Sequence, residues 1–236
     1  MLVSVPSHLG NREPFRNTIT RRSLDEGKSR SDQLDILCRF FPQLGDKKVF
    51  SGEVNHPKSD LCTLSPNWKL IAGTYSEAVR LALEALKRSQ NGALCEYLDS
   101  RNLTERHVWQ SKRTKELFPR LVQQQGSVDI YALPIQMGRR RRHESADRVR
   151  GQYDQSECGL GLFDATMALL VNPDWLSSRE GLGIELPGDE LSTDGRQKSI
   201  QTPFYIHENG ELILGAGSSV YPSEYWGSAT VYLGDT

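Results

Sequence analysis

Long apolar runs are missing from this chain: none approaches the roughly 20 residues that a helix needs to cross a bilayer. No membrane-spanning helix and no membrane partner are therefore expected. Residues 1–8 lack the basic flank and long apolar stretch of a secretory signal, which favours a cytoplasmic setting. Cysteine is scarce as well. Cys38, Cys62, Cys95 and Cys158 stand at wide, irregular spacings with no C-x-x-C pair. That pattern argues against a disulfide framework or a local zinc site and fits thiols kept reduced.

Sharp catalytic signatures are also missing. The chain has no G-x-x-x-x-G-K-[ST] phosphate loop, no G-x-G-x-x-G, no H-E-x-x-H and no G-x-S-x-G elbow, and no cofactor is expected. A two-metal nuclease wants Glu-x-Lys on a core strand, but the only instance is Glu26-Gly27-Lys28, in a polar segment. Asp46-Lys47-Lys48 is a poor substitute. His56-Pro57-Lys58 opens like a His-x-Lys phosphodiesterase motif, yet Thr63 stands where its Asp belongs.

What the chain does have is ordinary globular composition with unevenly placed charge. At 236 residues, 37% hydrophobic and 25% charged, it suits one large domain or two small ones, and it is long enough to bury a core without staples. The formal net charge is only −1. Residues 1–150, however, hold 26 Lys and Arg against 17 Asp and Glu, whereas residues 151–236 hold 3 against 13. The two parts thus carry +9 and −10. Such segregation points to a polyanion partner for the basic part, or to parts that neutralise each other within one fold or between copies.

Three stretches follow from local composition. Residues 1–32 read as a polar basic arm, 33–126 as mainly helical, and 127–236 as β-rich, the last two separate or joined in one continuous domain. Leu34, Ile36, Leu37, Phe40 and Phe41 before Pro42 predict a short amphipathic helix. Thr74-Tyr75-Ser76-Glu77 fits a capping box; Tyr75, Val79, Ala82, Leu83 and Leu86 then share one face, Lys87 and Arg88 favour the last turn, and Asn91-Gly92 supplies the stop. Residues 48–54 suggest a strand, 93–98 a short helix, and 104–125 a helical region broken near Pro119. Residues 127–136 alternate as a strand, 166–171 fit either strand or helix, and 204–207 with 211–214 form a hairpin around Asn209-Gly210. Residues 221–226 and 229–233 read as a second pair turned by Gly227-Ser228. Helices first and strands later predict an α+β fold with a mainly antiparallel C-terminal part.

The most distinctive motif is Gly138-Arg139-Arg140-Arg141-Arg142-His143, followed by Arg148 and Arg150. A glycine before four arginines suits a flexible loop that projects guanidinium groups. Each is a planar fork able to pair two phosphate oxygens. Tyr131 and Tyr153 flank the run and suit base stacking. The competing reading is a solvated loop whose arginines meet the acidic half. Further cations lie in the arm (Arg12, Arg16, Arg21, Arg22, Lys28, Arg30) and the helical middle (Lys112, Arg113, Lys115, Arg120). Glu185, Asp189, Glu190 and Asp194 cluster among glycines, where carboxylates could hold Mg²⁺, although acidic turns are commonly only solvated connections. His143 and His207 are the histidines placed to serve as general acid or base.

These residues support a nucleic-acid-associated protein, RNA- or DNA-binding, that contacts phosphates through the arginines within a nucleoprotein complex. Two alternatives stand beside it. One is a nuclease or other phosphodiester-cleaving enzyme; the other is an architectural homo-oligomer held by its complementary charged halves.

Overall fold

The computed structural model describes residues 28–54, 56–90, 94–96, 103–173, 175, 183–192, 195, 200–208, 210–218 and 226–233. The Ser29 hydroxyl accepts a hydrogen bond from the Asp32 amide and opens α1 (Arg30–Phe40), which stops before Pro42. Gln33 on this helix is buried and acts as a stitch. Its amide donates to the carbonyls of Lys28 and Cys62, and its oxygen accepts from the Leu64 amide, tying α1 to β1 (Leu61–Pro66). The predicted capped helix is α2 (Tyr75–Ser89): the Thr74 hydroxyl accepts from the Glu77 amide at 3.3 Å, and the expected apolar face is buried. Its proposed stop at Asn91-Gly92 lies outside the described residues.

Among the described residues, ten strands form one mixed, mostly antiparallel sheet. After β1 come β2 (Leu94–Glu96), β3 (Val108–Gln110), β4 (Ile130–Arg142), β5 (Glu157–Gly159) and β6 (Gly183–Glu185). Then follow β7 (Asp189–Ser192), β8 (Ile200–Glu208), β9 (Glu211–Ser218) and β10 (Trp226–Tyr232). The path runs β1-β4-β10-β6-β8-β7-β3, with β5 also paired to β10 and β9 to both β8 and β2. With α3 (Lys112–Gln124), α4 (Ala146–Arg150) and α5 (Leu162–Val171), this is an α+β architecture. β1, β2 and β3, from the mainly helical stretch, pair with strands of the β-rich stretch. No helix is long and apolar enough to cross a membrane among the described residues.

The core gathers around α5, whose ten residues are all buried and which packs on α1, α2 and β1. Being apolar on every side, it carries no amphipathic period, which is why residues 166–171 read equally well as strand or helix.

Other local expectations are corrected. Residues 94–96 form a strand in parallel with β9 rather than a helix, since the pairing comes from a segment more than a hundred residues away. The region from Thr104 starts as a turn followed by β3, and α3 runs unbroken through Pro119, which lies on its solvent face. There the ring displaces no packed neighbour, so the cost of the lost amide bond is tolerated. Residues 48–54 contribute a single bridge, Val49 to Ile130. Gly227-Ser228 is not a turn but part of the continuous strand β10; residues 221–225 lie outside the described set. The hairpin forms as expected, with Glu208 opposite Glu211 and Gly210 at φ +85°.

One contact allows no side chain at all. A Cβ on Gly159 would sit 2.2 Å from the Gly188 nitrogen, and one on Gly188 would sit 2.4 Å from the Gly159 oxygen. This approach lets the Gly188 amide donate to the Leu160 carbonyl and its own carbonyl accept from Ser111, locking β5, α3 and the start of β7 together.

Candidate functional site

The arginine run forms the far end of β4 and is not a free loop. Register explains how it still projects. Ala229 of β10 faces Met137, but Gly227 faces Arg142, so residues 138–141 stand against Ser228 alone. The result is a large bulge. Gly138 enters it at φ +86°, where a Cβ would lie 2.7 Å from the Gly227 carbonyl oxygen. His143 leaves it at φ +64°, its amide donating to the Trp226 carbonyl. Gln136, fully buried, pins the excursion from below. Its amide donates to the Ser228 carbonyl (2.6 Å) and the Thr230 hydroxyl (3.1 Å), and its oxygen accepts from the Arg140 amide (3.3 Å).

The six guanidinium groups then divide. Arg139 and Arg142 are exposed, and among the described residues neither has a carboxylate within ion-pair reach. Arg140 is exposed and donates once, to the Pro57 carbonyl at 2.9 Å. Arg148 is exposed, with only a loose 3.8 Å approach to Glu144. Arg141 turns inward: it pairs with Glu157 at 2.8 Å, donates to the Gln152 side chain at 2.8 Å, and lies 3.7 Å from Glu144. Arg150 is spent on Asp147 at 2.9 Å, the Pro187 and Asp189 carbonyls and the Thr202 hydroxyl. Four groups thus face solvent and two hold the fold. The arm cations Arg12, Arg16, Arg21 and Arg22 lie outside the described residues; Lys28 donates to the Val171 carbonyl, and the Arg30 guanidinium donates to the Gly52 carbonyl.

The flanking aromatics are placed differently from one another. Tyr131 is 2% exposed, its ring edge-on to Phe118 and its hydroxyl 3.5 Å from Asp164, so it turns no face to solvent. Tyr153 is half-buried, and burial of its hydroxyl pushes its ionisation well above the ordinary phenol range. His143 is exposed at the end of the bulge. His207 lies on β8 opposite Leu212, half-buried, on the same strand face as the fully buried Tyr205.

The acids do not assemble. Glu190 accepts from the Trp109 indole at 2.7 Å, while its neighbour Asp189 points inward. Glu185 accepts from the Ser228 hydroxyl at 3.1 Å, and Asp194 lies outside the described residues. No three His, Cys, Asp or Glu side chains are arranged to hold a metal among the described residues.

Asp189 instead belongs to a buried polar layer that sequence patterning did not reveal. Gly161 begins α5 without a side chain to cap it. Asp189, 27 residues beyond Leu162, supplies the cap: one oxygen accepts from the Leu162 amide at 2.7 Å and from the Tyr75 hydroxyl at 2.6 Å. Asp164, in the first turn of α5, accepts from Ser65 at 2.6 Å. Thr166, two residues further along, and Tyr205 share a 2.7 Å hydrogen bond. Burial pushes the Asp164 and Asp189 carboxyls up to about 7, against the pull of these donors. Burial likewise raises Glu185 to about 7, opposed by Ser228 and Arg150. No local spacing links residues 65, 75, 164 and 189, so only the folded chain brings them together.

No family model, curated protein or solved structure matches this chain.

Proposed function

We propose that this chain is a nucleic-acid-associated protein whose β4 bulge grips the phosphate backbone. The observation that supports the reading best is the division of the arginine run. Arg139, Arg140 and Arg142 point to solvent from a bulge pinned by Gln136, while Glu157 is taken up by Arg141. Bulges re-aim side chains out of a sheet. A guanidinium held on an anchored strand loses less freedom on binding than one on a loose loop, and its fork matches a pair of phosphate oxygens. Arg148 on α4 is a further exposed cation.

Contacts of this kind give affinity through counterion release and carry little sequence information. The site therefore suits a backbone-binding subunit of a nucleoprotein assembly better than a sequence reader. Binding of labelled RNA and DNA 20-mers by the wild type and the triple variant R139A/R140A/R142A tests it. Three lost phosphate contacts should lower the slope of log affinity against log salt by about 3 on duplex DNA. Affinity should fall at least about tenfold at moderate salt. Equal binding by the two proteins would remove the reading.

A further inference from the structure

The bulge has a titratable group at its back. Glu185 ends β6, which runs parallel to β10 so that Glu185 stands beside Ser228, the one residue that β10 sets against 138–141. The Ser228 hydroxyl donates to the Glu185 carboxyl, while the Ser228 carbonyl takes the Gln136 amide that pins the bulge. From α4, the Ala146 backbone N–H and Arg150 favour the charged carboxylate, while Asp147 adds negative field. From β8, the uncharged Phe204 is its register partner. Arg150 is already committed to Asp147, two carbonyls and Thr202, and among the described residues no cation lies within ion-pair distance of Glu185. A half-buried carboxyl held chiefly by neutral donors thus sits between the arginine bulge and the helix that carries Arg148.

Resting on the phosphate-binding reading above, we propose that Glu185 is the proton-controlled regulator of this face, protonation of its carboxyl strengthening the grip on a polyanion. A phosphate backbone laid across the bulge brings negative potential toward Glu185 and favours its neutral form. By linkage, a ligand that promotes proton uptake binds more tightly as protons become more available. Burial already raises the group to about 7, so the response falls near neutrality. Affinity rises as pH falls through that value and is lowest where Glu185 is ionised. For one unit charge near the site the change is about 3- to 10-fold between pH 8 and pH 6.

His143 ends the same bulge, so the test carries its alanine variant beside the Glu185 variant. Dissociation constants for a labelled oligonucleotide are measured at fixed ionic strength from pH 6 to pH 8 for the wild type, Glu185→Gln and His143→Ala. The wild type and His143→Ala are expected to tighten 3- to 10-fold toward pH 6, with Glu185→Gln tight at both ends. Undiminished pH dependence in Glu185→Gln overturns the proposal. In parallel, the Ser228 and Ala146 amide resonances of the wild type are followed by NMR without any ligand. They should titrate near neutrality, and their failure to move over this range also overturns it. If they do titrate but the wild type binds no oligonucleotide at either pH, the phosphate-binding reading fails and the regulatory role falls with it.

Discussion

Gln136, with no exposure to solvent, serves three partners on two strands. Gln136→Leu strands the buried Ser228 carbonyl and leaves the Arg140 amide without its acceptor. We expect a loss of about 2–3 kcal/mol in urea unfolding. Weaker oligonucleotide binding should accompany it, as the bulge loses its pin. The arginines allow a sharper contrast. Arg141→Ala leaves Glu157, whose side chain is only 2% exposed, as a buried charge without its counterion, and should cost about 2–4 kcal/mol. Arg142→Ala should change stability by no more than about 0.5 kcal/mol while weakening polyanion binding. Sequence marks these residues as a set but cannot assign them, because which arginine faces in depends on how many residues of β4 stand against Ser228. That count is a property of the register with β10, a strand some ninety positions away.

Elements built on local chemistry were readable: α1 by its apolar residues before Pro42, α2 by its cap and apolar period, and the β8–β9 hairpin by Asn209-Gly210. Thr74→Ala should remove about 1 kcal/mol from thermal unfolding, the ordinary worth of a helix cap. Elements defined by distant partners were not readable. β2 exists because β9 offers it a parallel edge, and β10 runs on through Gly227-Ser228, a dipeptide that otherwise signals a turn, because β4 and β6 pair with it there. α5 is the clearest case: its cap comes from Asp189 and its uniform burial erases the period. At the Gly159–Gly188 crossing the constraint is backbone against backbone, so neither side can yield. Gly188→Ala should cost several kcal/mol and show as a large drop in melting temperature, more than any surface arginine variant.

Across the whole molecule, Asp164, Asp189 and Glu185 hold protons up to about 7 when folded, whereas unfolded carboxyls release them near 4. Between those values the unfolded state binds fewer protons, so stability declines as pH rises from about 4 to about 7 and levels off above. Asp154, held down to about 2 first by the Ser156 hydroxyl and also by Lys58, acts in the opposite sense below pH 4. Urea midpoints recorded from pH 4 to pH 8 should therefore fall with pH, and Asp164→Asn or Asp189→Asn should flatten the fall; a wild-type midpoint that rises over this interval would contradict the assignment. The bulge carries one further implication. Four residues opposite one amount to stored slack in the strand: deleting a residue at 139 or 140 shortens the excursion yet leaves the Met137–Ala229 and Arg142–Gly227 rungs aligned. Deleting one between 131 and 136 would instead invert every later side chain through the sheet. A change of chain length should therefore be tolerated at the stretch that displays the guanidinium groups, so that their reach can be retuned while the hydrophobic interior stays as it is.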